Sequence, residues 1–329
     1  MNPYLDSNSD TLNPYTEGMR ATVDTLTPFV PSKKLLQFEQ KLQLEGKSFT
    51  EPQYLQSACE LSVCAYFAGQ YPATFEYEPV VTAPKDVDCA FVDNGFRFNV
   101  EVKCPDFSIK NALDKQPGFQ VGIFGRHPER ETLLADLAKA VSHDPEGRAL
   151  LAQPHMDNKL KDFLTSAHGK FADSIDDGTL NVLVVCCDTA SDMQKWYGYL
   201  YGHEGLFTTS SYHPVSEYAR VDAVLLTNLY HRHYNYREKD QLTEHWQLAR
   251  AFNLLFSNPR RQRDKRDAFL HFLTTFPHQS WELHAYEVEG DAPPEVMAAI
   301  KLSTFVADKL ADSGMFQMQR AAPADSTKT

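Results

Sequence analysis

The sequence predicts an α/β fold in which helices flank a mixed central sheet. The first observation behind this prediction is the order of elements in residues 32–190, where helical text leads into three strands, a helix and a strand. The second is Asn94-Gly95, a strong hairpin signal that lies between two strand-like runs. The third is the continuous apolar run at 180–187, whose length is typical of a buried central strand.

Capping residues and periodicity define the elements of this core. Thr50 is a suitable N-cap for a helix, because Pro52 follows in the first turn and Gln53 occupies the capping-box position. Alternation of apolar and polar residues predicts the strands, and a stripe of apolar residues predicts the helix that follows them. The predicted core elements are helices at 32–44, 50–68 and 158–172, and strands at 75–81, 86–92, 96–104 and 180–187.

The remaining segments are predicted to surround this core. Residues 1–31 look irregular because of their four prolines, and residues 105–157, with a helix at 129–141, look like an insertion. Later elements are expected to be strands at 221–227 and 281–288 and helices at 241–256, 262–275 and 294–312. The predicted organisation is an extension with one helix at 1–49, a core at 50–190, a mainly helical α/β elaboration at 191–316 packed on the core, and a disordered tail at 317–329.

Composition limits the classes of function. The net charge of −12 argues against a protein that coats nucleic acid without regard to sequence, because such proteins are usually basic. It is compatible with a local basic groove beside an acidic metal centre, and with a protein partner or a homodimer. The polar, acidic start and the lack of a long apolar run predict a cytoplasmic protein without membrane contact. The six cysteines form no CxxC pair and are expected to be small core residues.

The hairpin at 86–103 carries the candidate chemistry. With Asn94-Gly95 as a two-residue turn, the same register that places Phe91 opposite Phe98 places Asp88 opposite Glu101. Directly paired residues project to one face with Cβ atoms about 5 Å apart. Lys103 shares that face because it follows Glu101 by two residues.

Two adjacent carboxylates raise one another's pKa unless a cation lies between them. Mg²⁺ and Mn²⁺ prefer oxygen ligands, and a bound ion stabilises the charge that develops on a phosphate. A lysine nearby can orient the attacking water. Asp88, Glu101 and Lys103 therefore predict metal-dependent hydrolysis of a phosphodiester, with Asp86 as a rival metal ligand.

The Glu-x-Lys pattern by itself is unspecific, since it also occurs at Glu39-Gln-Lys41 and Glu45-Gly-Lys47. Only the third copy ends an apolar strand and has an acidic residue opposite it across a hairpin. The alternative interpretation of this third copy is an exposed cross-strand cluster of ion pairs.

These residues give the stretch from about 50 to 187 a resemblance to the PD-(D/E)XK nuclease superfamily. That resemblance implies a restriction-endonuclease-like αβββαβ core with the acidic residue on the second strand and Glu-x-Lys on the third. Asp88 and Glu101-Val102-Lys103 match these positions, whereas Pro84 is followed by Lys85, which departs from the Pro-Asp half of the pattern. The resemblance further implies that the carbonyl group of Val102 is a metal ligand.

Other residues are assigned weaker roles. Many members of the superfamily carry a glutamate on the first core helix, and Glu60 matches it as a further metal ligand, with an ordinary Glu–Lys pair as the alternative. Lys161 is a candidate phosphate contact, and the basic cluster of Arg260, Arg261 and Arg263 is a candidate nucleic-acid contact. The pair His231 and His233 is expected on a strand as surface or boundary residues, because no nearby acid completes a metal triad.

The sequence thus predicts a Mg²⁺- or Mn²⁺-dependent deoxyribonuclease that acts by water attack. One alternative is a binding or assembly protein of the same fold whose site has decayed or is regulatory. A further alternative is a nuclease effector or defence component that a protein partner controls.

Overall fold

We describe a computed structural model of the chain. The structure describes residues 2–5, 13–44, 48–122, 126, 128–143, 148–153, 155–172, 177–291 and 294–317. The predicted tail, apart from residue 317, lies outside the described residues. No helix in the described ranges is long and apolar enough to cross a membrane.

Eleven α-helices are present in the described part of the chain: α1 (Pro14–Leu26), α2 (Leu35–Lys41), α3 (Glu51–Gln70), α4 (Ser108–Asp114), α5 (Arg130–Val141), α6 (Asp157–His168), α7 (Ala190–Tyr201), α8 (Leu229–His233), α9 (Arg266–Phe272), α10 (Ser280–Ala285) and α11 (Pro294–Lys309). The described strands are β1 (Glu76–Tyr77), β2 (Val80–Thr82), β3 (Lys85–Asp86), β4 (Cys89–Asp93), β5 (Phe96–Lys103), β6 (Phe119–Val121), β7 (Leu150–Ala152), β8 (Thr179–Cys186), β9 (Ala223–Thr227) and β10 (Asn253–Ser257).

Six strands form the central sheet in the order β1-β4-β5-β8-β9-β10. The pairs β5-β8 and β8-β9 are parallel, whereas β1-β4, β4-β5 and β9-β10 are antiparallel. The sheet is therefore mixed, with one apolar face packed on α1, α3 and α9 and the other on α6, α7 and α11. This arrangement confirms the predicted α/β class with a mixed sheet flanked by helices.

Several predicted elements are wrong in detail. Residues 14–26 form α1 rather than irregular chain, because the Asn13 side chain accepts a hydrogen bond from the Thr16 amide (2.8 Å) and Pro14 opens the helix. The predicted helix at 241–256 is not formed. Its first half makes turns, with a φ of +52° at Glu244, and a short 3-10 helix at Leu248–Arg250 leads into β10, where Leu254 and Leu255 pair with β9. The predicted strand at 281–288 begins instead as helix α10.

Both edges of the central sheet are short or covered. At one edge β1 has two residues. At the other edge, the outward amide of Leu255 donates to Ser280 Oγ at 3.0 Å, and that of Asn253 donates to Gln279 Oε1 at 2.9 Å. The segment that opens α10 thus takes the hydrogen bonds that another strand would otherwise make.

A buried ion pair lies at the start of β9. Lys265 is 1% exposed, and its Nζ lies 2.6 Å from Asp222 Oδ2. The same Asp222 oxygen accepts a hydrogen bond from the Asn181 amide at 2.8 Å. This pair therefore joins the chain before α9 to the strands β8 and β9.

We expect Lys265→Met to lower the free energy of unfolding by about 3–5 kcal/mol, because it leaves the Asp222 carboxylate buried without its cation. Urea denaturation at neutral pH measures the change. The matched control is Lys139→Met, on the exposed α5, which should have no measurable effect. Equal stability of the two variants would contradict the role of the pair.

The histidines at 231 and 233 lie on α8, not on a strand, and both are buried. His231 Nδ1 forms a hydrogen bond with Asp188 Oδ1 (3.1 Å). His233 Nδ1 and Nε2 form hydrogen bonds with Tyr15 Oη and Ser62 Oγ (3.0 Å each). These partners satisfy both rings in the buried turn that follows β9. The prediction of surface or boundary histidines is therefore wrong.

A third histidine near α8 makes stability depend on pH. His245 Nδ1 donates to the backbone oxygen of Arg232 at 2.6 Å, and burial lowers the pKa of His245 to about 4. The unfolded chain, with a histidine pKa of about 6.5, binds more protons between these values. This contribution to stability is present above pH 6.5 and is lost as the pH falls towards 4.

We expect the wild-type protein to lose about 3 kcal/mol more stability than His245→Gln between pH 7 and pH 4. The glutamine keeps a donor for Arg232 but cannot take up a proton. Urea titrations at a series of pH values measure both proteins, and contributions from other groups cancel in the difference. Parallel pH curves would show that His245 is not held neutral.

Candidate functional site

The β4-β5 hairpin has the predicted register. Phe91 pairs with Phe98, and Cys89 pairs with Val100. Its turn is Asn94-Gly95, with φ angles of +49° and +81°, the left-handed conformation that a tight hairpin requires. Asp88 directly precedes β4, so the predicted strand at 86–92 is interrupted there. The register nevertheless places Asp88 beside the end of β5.

A backbone hydrogen bond holds Asp88 against β5. The Val102 amide donates to Asp88 Oδ2 at 2.6 Å. Burial, and then the carboxylates of Glu60 and Glu101, raise the pKa of Asp88 well above its usual range. Three carboxylates therefore repel one another here, which is the condition that a bound cation relieves.

Glu101 lies at the centre of the site, with its side chain fully buried. Its Oε1 lies 2.6 Å from Lys103 Nζ and 2.7 Å from Lys170 Nζ, and Lys170 also donates to Oε2 at 2.9 Å. Burial by itself lowers the pKa of Lys170, but the carboxylates of Glu101, Asp88 and Asp86 together outweigh burial and raise it. The ion pairs of the alternative interpretation are therefore present, but Glu101 is buried rather than exposed.

Lys170 is the site residue that sequence reasoning missed. The predicted helix 158–172 included it, whereas α6 ends at His168 and Gly169 is its C-cap. The chain leaves the helix at this point, and Lys170 reaches β5. The early end of α6 therefore supplies the second ammonium group to Glu101.

Lys161 does not reach the cluster around Glu101 that Lys170 joins. Its Nζ lies 3.0 Å from the neighbouring Asp162 Oδ1, on the helical turns before the end of α6. The lysine predicted for the site on this segment is Lys161, whereas the lysine that contacts Glu101 is Lys170, two residues after the end of α6.

Glu60 and Asp86 lie at the margin of the site. Lys41 Nζ lies 2.6 Å from Glu60 Oε1, so the ordinary Glu–Lys pair is present. Burial raises the pKa of Glu60, although Lys41 opposes this effect. Asp86 lies on β3, in a separate hairpin with β2, where its half-exposed carboxylate is 3.5 Å from Lys34. Its position thus favours Asp88 over Asp86 as the candidate metal ligand.

The predicted basic cluster lies far from these carboxylates. Arg260 and Arg261 follow β10, whose last residue, Ser257, pairs with the first residue of β9. Arg263 lies 3.7 Å from Asp177, just before β8. Both places are at the amino ends of the parallel strands, whereas Lys103 is at the carboxyl end of β5. Six residues of strand separate the two ends, or roughly 20 Å.

The metal-binding capacity of the site rests on two carboxylates. In the described residues, no three His, Cys, Asp or Glu side chains converge on one ion position. Mg²⁺, however, commonly takes one or two carboxylates and completes its shell with water. Among the described groups, Glu101 Oε1 is a buried oxygen that accepts no aligned hydrogen bond, despite the two ammonium groups close to it. Asp88 and Glu101 would be the carboxylate ligands of such an ion, which would have to compete with Lys103 and Lys170 for Glu101.

Comparison with known proteins adds no family to this picture. No protein-family model, curated protein or solved structure matches the chain. The interpretation of the site therefore depends on its own geometry and charges.

The buried ion cluster has a thermodynamic signature that does not depend on activity. We expect Lys170→Met to lower the free energy of unfolding by about 2–3 kcal/mol, because Glu101 keeps only Lys103 as a cation. Glu101→Gln combined with Lys170→Met should lose less than the sum of the two single changes, since charge and partner are removed together. Urea denaturation of the three variants measures this coupling. Strict additivity would mean that the two side chains do not interact.

Proposed function

We propose that the chain is a Mg²⁺-dependent nuclease that hydrolyses phosphodiester bonds in DNA. The observation that carries the proposal is the fully buried Glu101, held between Lys103 and Lys170 with Asp88 hydrogen-bonded to the adjacent residue of β5. Burying a carboxylate costs several kcal/mol. The raised pKa of the neighbouring Asp88 is a perturbation of the kind that is concentrated at functional sites.

The order of elements supports a restriction-endonuclease-like core within the proposal. The central elements α3, β1, β4, β5, α6 and β8 give the order helix, three strands, helix and strand, with the separate β2-β3 hairpin between β1 and β4 and the insertion between β5 and α6. The last two strands of this series, β5 and β8, are parallel neighbours. Parallel neighbours need a crossover connection, and α6 lies in the connection between them. The acidic residue and Glu-x-Lys then fall at the second and third strands of that series.

The proposed roles follow from the chemistry of each group. Asp88 and Glu101 would hold Mg²⁺, with the Val102 carbonyl group as a third oxygen by resemblance. The bound ion supplies charge stabilisation for the phosphate and acidity for its water. Lys103 orients the attacking water from the strand, and Lys170 offsets the negative charge that grows on the phosphate from the opposite side of Glu101.

Lysines concentrate around this site in a chain of net charge −12. Lys34 and Lys41 both bind Glu78, at 2.5 Å and 2.7 Å, and lie at the rim. Together with Lys103 and Lys170 they bring four ammonium groups to one end of the sheet. These four ammonium groups face five carboxylates, those of Glu60, Glu78, Asp86, Asp88 and Glu101. They therefore offset most of the local negative charge that would otherwise repel a phosphate backbone.

A second candidate is a binding or assembly protein of the same fold with a decayed or regulatory site. Two lysines already neutralise Glu101, and the described residues lack a three-ligand cluster, which favours this candidate. The two candidates differ in whether added metal ions produce cleavage.

We expect the purified protein to cut at least one of plasmid, linear duplex or single-stranded DNA in Mg²⁺ or Mn²⁺, and to be inactive in chelator. Asp88→Asn and Lys103→Ala should each lower the rate by about 10²–10³-fold, because they remove a metal ligand and the group that orients water. Gel electrophoresis of end-labelled substrates measures the rates, and RNA is tested in parallel.

The matched control is Lys139→Ala, which removes an exposed lysine of α5 and should retain full activity. Absence of cleavage with every substrate and ion, in protein whose fold is verified by circular dichroism, would contradict the nuclease proposal and favour the second candidate. Cleavage that survives Lys103→Ala would show that the activity comes from a contaminating nuclease or from another site of this protein.

A further inference from the structure

A cavity of about 300 Å³ lies beside β10, at the opposite edge of the sheet from β1. It opens between β10 and the helices α7, α9, α10 and α11. β10 is three strand spacings from β5, or roughly 14 Å across the sheet. The cavity is therefore separate from the Asp88–Glu101 site and does not depend on the proposed nuclease function.

The lining of this cavity is mainly apolar and rich in rings. Its principal apolar residues are Tyr197, Leu254, Phe256, Phe269, Trp281 and Leu283. Tyr197 and Phe256 lie with ring centroids 5.4 Å apart, and the Trp281 side chain is exposed at the cavity. A cavity of about 150 Å³ with an apolar lining binds one benzene molecule. About twice that volume fits a body of two fused rings.

A buried amide donor in the lining has no partner in the described structure. Gln194 is 5% exposed, and its Oε1 accepts a hydrogen bond from Ser303 Oγ at 2.9 Å. Its Nε2 has no hydrogen-bond partner among the described residues. A buried donor left without an acceptor costs about 1–3 kcal/mol. Nε2 exposes less than 1 Å², so a ligand that brings an acceptor removes that cost only after the Gln194 side chain rotates towards the cavity.

One cationic group also lines the cavity. Lys301 Nζ donates to the backbone oxygen of His284 at 3.1 Å. In the described ranges, no carboxylate pairs with Lys301, so its positive charge is complementary to an anionic ligand group.

We propose that this cavity binds a small aromatic carboxylic acid of about two rings. The ring body fills the space between β10 and α10, the carboxylate group meets Lys301, and Gln194 donates to an acceptor of the ligand. The edge of β10 is unsuited to an added peptide strand, because Ser280 and Gln279 already bind its outward amides. This favours a small molecule over an extended peptide.

The test uses 2-naphthoate as the probe and the full-length protein. We expect saturable binding of one molecule by isothermal titration calorimetry, with a Kd of about 10–100 µM for a ligand of this size. The comparison probes are decanoate, which replaces the rings by a chain, and 2-naphthylmethylamine, which reverses the charge. Both should bind at least about 10-fold more weakly.

Three variants locate the binding. Lys301→Gln should weaken 2-naphthoate binding by about 5–10-fold and Gln194→Leu by about 5-fold, since each removes one donor. Leu283→Trp fills the cavity and should abolish binding. Lys309→Gln, on the same helix as Lys301, is the matched control and should bind as the wild type does. Near-ultraviolet circular dichroism verifies that each variant is folded.

Three results would overturn the proposal. They are absence of saturable binding to the wild type, equal affinity for the amine, or unchanged binding by Lys301→Gln and Leu283→Trp together. Sedimentation velocity of the wild type and Trp281→Ala tests whether a second copy of the chain covers this cavity instead. A dimer that dissociates in Trp281→Ala would assign this face to a second copy of the chain and would also overturn the proposal.

Discussion

The burial of one negative charge, that of Glu101, determines how the candidate site is arranged. Glu101 lies in an inner strand with no exposed surface, so the fold must bring cations to it. Lys103 comes from the same strand, and Lys170 comes from the chain just after α6. The end of α6 and its packing on β5 are therefore coupled to the charge of a single carboxylate.

The two ends of the parallel strands have different polar chemistry. At the amino ends, Asn99 donates to Asn181 at 2.9 Å, and Asp222 binds Lys265, so these polar groups satisfy one another inside the fold. At the carboxyl end of β5, the carboxylates repel one another and one oxygen accepts no aligned hydrogen bond among the described groups. The first end fixes the relative position of the strands, whereas at the second end Lys103 and Lys170 only partly offset the repulsion between the carboxylates.

The sequence predicts the parts of this structure that depend on local rules. The Asn94-Gly95 turn sets the register of β4 and β5, because a two-residue turn leaves one pairing available. That register was enough to bring Asp88 next to the end of β5.

Features that depend on tertiary contacts were not predictable in this way. The position of Lys170 depends on where α6 ends. Gly169 is a sequence signal for that end, but the apolar stripe that continues to Phe171 led to the prediction of a longer helix. Helix α10 replaces an expected strand because its first turn binds β10, a contact distant in sequence. His231 is buried because Asp188 lies beside it at the end of β8, which no spacing rule reveals.

The covered edges of the central sheet have a consequence for the behaviour of the protein in concentrated solution. An open edge strand is a template on which further chains can add and eventually form fibrils. Here the two-residue β1 offers too short a template, and the β10 amides are engaged by Gln279 and Ser280. The apolar strands β8, β9 and β5 are thereby kept from intermolecular pairing, which protects a largely hydrophobic sheet from aggregation.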